Sequence, residues 1–268
     1  MSLKKRIISA AVFFVVFLVG LANQWSFLIV FSLFMLVQLS EFLNFAHLRG
    51  YQPLPSALYL LGLLIFVELF FIAQHALSYN VLLLVIAGVF LAFIVELFRS
   101  SQTPMENLAF LLLGLFYIAV PFSFLNFLVF PAKFGYAFDY KLIFVFFILI
   151  WATDIGAYFV GRFLGKHSLF KRISPNKTVE GLIGGAVLNL TVALLIAYFF
   201  EFFDYKDAIA FWLIIVICGT IGDLIESMFK RQVGLKDSGN IMPGHGGLLD
   251  RFDSTLVAVP FIILYLYW

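Results

Sequence analysis

The sequence predicts an all-α, polytopic integral membrane protein of about nine transmembrane helices, with its N-terminus inside and its C-terminus outside. Three observations predict this class. Of 268 residues, 63% are hydrophobic and 12% charged, and the mean hydropathy is +1.07, whereas soluble domains run nearer half apolar and a quarter charged. Apolar runs recur at a length suited to crossing a hydrocarbon layer about 30 Å thick, which takes roughly 20 helical residues. Lysine and arginine then fall almost wholly on one side of the resulting topology.

Taken in order, the spans are expected near residues 7–22, 25–45, 57–77, 79–97, 106–129, 141–164, 179–200, 208–230 and 249–267. Lys4, Lys5 and Arg6 precede an apolar run ending Gly20-Leu21-Ala22, a pattern that secretory signals share; it is read here as the first span. The break at Asn23-Gln24 is tight, so the first two spans form a short or tilted hairpin. Phe supplies 36 residues, too many for one soluble core, and the single cysteine, Cys218, excludes an intrachain disulfide.

With the N-terminus inside, 14 cations lie on the inner side, from Lys4 to Arg251, against three outside, Lys133, Lys141 and Lys206, which together account for all 17 Lys and Arg. Trp268 then falls outside beside Tyr265 and Tyr267, as interfacial aromatic anchors do. The chain divides by chemistry. Residues 1–150 are apolar N-terminal and middle helices, while the helices of 151–268 carry nearly every polar feature on the cytoplasmic side. A functional site is expected there, opening to the cytoplasm.

Ionisable groups at membrane depth are expensive and mark interior or water-lined positions. Glu41 and Glu96 sit near span ends and are read as reaching the interface; Glu68 is mid-span, where it pairs with another helix or bonds a backbone carbonyl. The last two spans read differently. Helical spacing aligns Gly219, Asp223, Glu226, Ser227 and Lys230 on one face. A polar loop follows with Lys236-Asp237 and Pro243-Gly244-His245-Gly246-Gly247, and the ninth span opens on Asp250-Arg251-Phe252-Asp253, with two carboxylates at i and i+3.

Carboxylates beside cations and a glycine turn suit a nucleoside triphosphate with its metal. Mg²⁺ keeps several waters and binds through one or two carboxylates plus substrate phosphates. Lys and Arg hold the remaining phosphate charge, and glycines let backbone N–H groups approach. The alternative is a ring of interfacial salt bridges around a glycine-rich turn. A second polar stretch places Asp154, Tyr158, Gly161 and Gly165 on one face, and Gly161/Gly165 and Gly181/Gly185 have the spacing of close helix packing. Between these spans, Ser174-Pro175-Asn176-Lys177-Thr178-Val179-Glu180-Gly181 presents a cation and hydroxyls before a helix N-terminus, a natural anion site. His167 and His245 have no second histidine at ligand spacing, so zinc is not expected.

From Ser227-Met228-Phe229-Lys230-Arg231 through Lys236-Asp237 and the His245 turn to Asp250-Arg251-Phe252-Asp253, 27 residues resemble the C-terminal signature of the phosphatidate cytidylyltransferases. Met242 departs from the family's usual Leu, Ile or Phe, an apolar exchange, and the Ser174–Gly181 segment resembles a second family stretch. The resemblance implies transfer of a cytidylyl group from CTP to phosphatidate, giving CDP-diacylglycerol and pyrophosphate in phospholipid biosynthesis. It implies Mg²⁺, a monovalent cation such as K⁺, a homodimer among membrane lipids of the cell inner membrane, and no nucleic acid. Carried onto this chain, it makes Asp223 and Asp250 metal ligands with Glu226 and Asp253 in support, and Lys230 and Arg231 catalytic alongside the two aspartates. Ser174, Lys177, Thr178, Lys236, His245, Gly246, Gly247, Arg251 and Asp154 become substrate-binding. Two other classes share part of this chemistry. A cation- or proton-coupled transporter places polar sites near the midplane, often in repeated halves, whereas here they crowd one side. A CDP-alcohol phosphotransferase opens on Asp-x-x-Asp-Gly-x-x-Ala-Arg, which is absent.

Overall fold

The computed structural model describes residues 3–244 and 246–268 and is built almost entirely of helix. Among the described residues, seven helices are long and apolar enough to cross a membrane: Gln24–Leu48, Pro55–Ala73, Tyr79–Phe98, Pro104–Phe134, Lys141–Leu164, Val179–Phe199 and Tyr205–Gln232. The chain is an integral membrane protein. The other two expected spans are also helical but differ in kind. The apolar part of the first, Arg6–Gly20, is short, and the last, Leu249–Tyr267, opens on Asp250, Arg251 and Asp253.

The chain folds as two units: Met1–Tyr140 with Val233–Arg251, and Lys141–Gln232 with Phe252–Trp268. In the first, α1 (Leu3–Gly20) and α2 (Gln24–Leu48) pack as the expected hairpin. Asn23 closes the turn, its Oδ1 accepting from Trp25 N at 2.9 Å and Ser26 N at 3.0 Å, while Ser26 Oγ accepts from Asn23 N at 3.1 Å. This reciprocal cap satisfies N–H groups that a helix start leaves orphaned. Helices α3 (Pro55–Ala73) and α4 (Leu82–Phe98) follow, then a broken span of α5 (Pro104–Gly114), a π-helical stretch Leu115–Ala119, α6 (Val120–Ser123) and α7 (Leu125–Val129). Pro121 cannot donate to the helix ladder, and at the break Asn126 donates to Ser123 O at 2.7 Å.

The abundant phenylalanines divide by position. Phe27, Phe31, Phe66 and Phe122 are fully buried and interlock, with Phe27 and Phe31 stacked at 4.3 Å between ring centres. Phe90, Phe98 and Phe116 face outward, as side chains do where lipid is the solvent. Glu41 and Glu96, whose places near span ends suggested free interfacial charges, are instead buried inside the protein: they are 8% and 2% exposed and held by internal hydrogen bonds. Glu68 is buried, and neither of its carboxylate oxygens has a hydrogen-bond partner among the described residues.

In the second unit, α8 (Lys141–Leu164) and α9 (Val179–Phe199) run antiparallel at close range. A Cβ on Gly156 would stand 2.7 Å from Gly184 O, one on Gly181 2.9 Å from Ala157 O, and one on Gly185 2.7 Å from Thr153 O. Gly181 and Gly185 therefore do what their spacing predicted, and Gly156, outside the predicted pairs, joins them: they let two backbones approach where apolar burial in lipid gives little drive. Asn189 reinforces the seam, donating to Leu149 O at 2.9 Å and Thr153 Oγ1 at 2.8 Å.

One feature departs from an all-α chain. The α8–α9 connection is a two-stranded antiparallel ribbon, β1 (Ser168–Phe170) with β2 (Ser174–Thr178), pairing Ser168 with Thr178 and Phe170 with Ser174. Pro175 fits at the edge of such a short ribbon, where its missing N–H is tolerated. Helix α10 (Tyr205–Ile214) leads through a π-helical stretch, Ile215–Gly219, into α11 (Thr220–Gln232), and α12 (Leu249–Tyr267) ends the chain.

Candidate active site

The second unit holds a cavity of about 500 Å³ among α8, β2, α9, α11 and Ser254 of α12. That volume lies within the range of small-molecule sites, which are mostly apolar with a few placed polar groups. Ile150, Ala157, Leu182 and Ile215 supply apolar wall. Asp154, Arg162, Ser174, Asn176, Lys177, Thr178 and Asp223 supply the polar groups.

Each polar group has a local cause. Thr178 ends the ribbon and caps α9, its Oγ1 accepting from Gly181 N at 3.1 Å, so β2 and Lys177 are fixed to the helix start. Glu180, in the first turn of α9, fastens the other strand's approach by accepting from Lys166 N at 3.0 Å and pairing with His167 Nδ1 at 2.6 Å. Gly219 ends the π-helical stretch on the cavity wall; such stretches shift the register of the side chains that follow. One turn later α11 touches α12: a Cβ on Gly222 would stand 2.5 Å from Asp253 O. Asp223 and Asp253 are thus on backbones in contact.

Lys177 is the electrostatic centre. Its ammonium pairs directly with Asp223 Oδ2, both side chains being about one-third exposed or less. Burial pulls the ammonium below the ordinary lysine value, opposed by Asp253 and Asp154, lowered further by Lys230 and raised by Glu226. Asp223 also accepts from Ser227 Oγ at 3.4 Å. One turn on, Lys230 pairs with Glu226, and both are buried. Among the described residues no three His, Cys, Asp or Glu side chains converge as a ready metal cage; Asp154, Asp223, Glu226 and Asp253 stand instead near the ammonium groups of Lys177 and Lys230.

The structure thus brings Asp154, Ser174, Lys177, Thr178, Asp223, Glu226, Lys230 and Asp253 of the predicted set into one neighbourhood. Arg231 belongs beside it in another way, its Nε donating to Ile173 O at 3.3 Å and so holding the ribbon turn. The remaining predicted residues are in the first unit. Asp250 Oδ2 accepts from Gly247 N at 2.7 Å, Ser238 N at 2.9 Å and Ser238 Oγ at 3.0 Å. Gly246 has φ +85°, in the left-handed region that favours glycine. Lys236 and Arg251 are exposed, and His245 lies outside the described residues.

Sequence reasoning gave no site role to Arg162 or Ser238 and read Glu41 as an interfacial charge. Arg162 lines the cavity and donates to Tyr158 Oη at 2.6 Å, one turn along the face already marked by Asp154 and Tyr158; the spacing was there to be used. Glu41 and Ser238 hold the Asp250 loop, and no local pattern links positions so far apart in sequence.

Comparison with known proteins agrees with this chemistry. The sequence model of the cytidylyltransferase family matches residues 4–268. A phosphatidate cytidylyltransferase of Staphylococcus saprophyticus is 36% identical over 278 residues, covering 97% of both chains. That of Staphylococcus aureus is 34% identical over 265 residues, again covering 97% of each. The Bacillus subtilis phosphatidate cytidylyltransferase is 48% identical over 127 residues, 46% of this chain and 47% of its own. With its match running from residue 4 to the last residue, this chain belongs to the cytidylyltransferase family.

Proposed function

We propose that the protein transfers a cytidylyl group from CTP to phosphatidate, giving CDP-diacylglycerol and pyrophosphate. The observation that carries this reading is the cavity around Lys177, where a cation and several carboxylates stand within a mostly apolar wall. A polyanionic nucleotide needs the first, and a lipid whose tails stay in the bilayer needs the second. The names of the relatives that match over 97% of the chain agree.

In this reading an oxygen of the phosphatidate phosphate forms a bond to the α-phosphorus of CTP. The bond from that phosphorus to the oxygen bridging the β-phosphate breaks in line, and pyrophosphate leaves. No protein nucleophile is needed, so the chain contributes positioning and charge neutralisation. Lys177 and Lys230 hold phosphate oxygens, assisted by Ser174, Thr178 and, from the loop motif, Lys236, His245, Gly246, Gly247 and Arg251. Arg231 keeps the ribbon, and with it Lys177, in place. Asp154 orients Lys177.

The donor set also fits Mg²⁺. Asp223 offers hard oxygens on the cavity wall, and this ion needs only one or two carboxylates beside water and phosphate. Asp223 and, on the sequence motif, Asp250 would hold it, supported by Glu226 and Asp253; when bound it would neutralise charge on the phosphates. A monovalent cation such as K⁺ and a homodimer are further expectations of the family resemblance.

The topology belongs to the same reading: nine spans in the cell inner membrane, N-terminus inside, C-terminus outside, and the site opening to the cytoplasm from residues 151–268. The division of the cations supports it. The purified protein is tested by pyrophosphate release from CTP with and without phosphatidate. Release is expected only with both substrates and a divalent ion; none under any of these conditions would overturn the assignment.

A further inference from the structure

Glu41 lies in α2, about 200 residues before the loop that it holds. It is 8% exposed. Its Oε1 accepts from Leu248 N at 2.9 Å, and its Oε2 accepts from Leu249 N at 2.8 Å and from Ser238 Oγ at 3.0 Å. Leu249 is the first residue of α12, so the carboxylate satisfies orphan donors at a helix N-terminus, where negative charge is favoured. The approach is close enough to require glycine in the loop, since a Cβ on Gly247 would stand 2.5 Å from Glu41 Oε2.

The same contacts reach Asp250. Ser238 Oγ lies 3.0 Å from Glu41 Oε2 and 3.0 Å from Asp250 Oδ2, so its one hydroxyl proton serves two carboxylates. Asp250 Oδ2 in turn holds Ser238 N and Gly247 N. Glu41 and Ser238, both buried, therefore form with the half-buried Asp250 one acceptor–donor–acceptor chain that also holds the backbone N–H groups of Ser238, Gly247, Leu248 and Leu249.

We propose that Glu41 is a positioning residue for the cytidylyl transfer: it touches no substrate, and through Ser238, Leu248 and Leu249 it fixes the loop that presents Asp250 and Gly246-Gly247. The inference rests on the reading that this loop serves CTP and its metal. Its physical core is separate, because the clamp exists whatever the loop binds.

The test uses the full-length protein in nanodiscs, comparing wild type with Glu41→Gln and Ser238→Ala. Glu41→Gln keeps the shape but presents an amide –NH₂ to backbone N–H donors. Without Mg²⁺ or nucleotide, amide exchange in peptides covering 238–250 should rise at least tenfold, while peptides from α3 stay within twofold. In the assay, the Mg²⁺ concentration for half-maximal rate should rise at least fivefold and kcat/KM for CTP should fall at least tenfold, with KM for phosphatidate within twofold. A general packing defect would not produce that split. Ser238→Ala, which removes one donor of three, should move the same readouts two- to fivefold, and it decides the matter if Glu41→Gln does not accumulate. Unchanged exchange in the accumulating variants overturns the clamp. Faster exchange with wild-type Mg²⁺ and CTP dependence overturns the positioning role. Wild-type protein that releases no pyrophosphate overturns the reaction, and the positioning role with it, while the exchange result still decides the clamp.

Discussion

Replacing Lys177 by Ala probes the site at its electrostatic centre. The side chain sits in β2, fixed to α9 by the Thr178 cap, and pairs with Asp223 across the cavity. Without it, Asp154, Asp223, Glu226 and Asp253 keep Lys230 nearby and Arg162 on the cavity wall, but lose the cation between them. A CTP phosphate would then lose a charge-assisted contact, worth roughly 1.5–3 kcal/mol, which converts to about a 10- to 150-fold loss in kcat/KM for CTP. Stability should change far less. The Lys177–Asp223 pair is about one-third exposed on each side, and such pairs contribute about 1 kcal/mol or less. The assay is steady-state pyrophosphate release with CTP varied at saturating phosphatidate, alongside a thermal melt in detergent. Lys177→Arg, which keeps the charge, should recover part of the loss. A Lys177→Ala enzyme within twofold of wild type in kcat/KM for CTP would refute the phosphate-holding role and favour an interfacial salt-bridge ring.

Asp223→Asn and Asp250→Asn keep shape and remove charge, so each should lose Mg²⁺-dependent turnover while accumulating normally; near-normal activity at limiting Mg²⁺ would remove that residue as a ligand. Gly185→Val, which forces side-chain atoms against Thr153 O across the α8–α9 seam, should destabilise the protein by about 1–3 kcal/mol, read as a lower melting temperature; an unchanged melt would mean the helices have room to part. A reporter fused after Trp268 should be active only outside the cytoplasm, and cytoplasmic activity would mean an even number of spans.

The helices were legible because lipid imposes one requirement on every span, an unbroken apolar run with its backbone bonded internally. The α8–α9 glycines were legible for a related reason, since four-residue spacing returns to the same helix face. The Ser168–Thr178 ribbon was not. Its strands are too short, and too polar in the case of Ser174-Pro175-Asn176-Lys177-Thr178, to show a two-residue period. At the site, the sequence singled out Lys177 and Asp223 separately but not their pairing, because residues 46 positions apart meet only through the packing of β2, α9 and α11. Glu41 was misread for the same cause. A lone glutamate near a span end resembles any interfacial charge until the distant loop that closes over it is seen.

The central claim is the identity of the bond that forms, and isotopic label follows that bond directly. CTP labelled at the α-phosphate or at the γ-phosphate would be incubated with the protein in phosphatidate-containing vesicles and Mg²⁺, followed by solvent extraction. The account predicts that α-label enters the lipid phase in equal amount to pyrophosphate released, while γ-label stays wholly aqueous. Label from the γ-position in lipid would mean phosphoryl transfer by a kinase-like route, and pyrophosphate without α-label in lipid would mean hydrolysis. Either result would contradict cytidylyl transfer to phosphatidate.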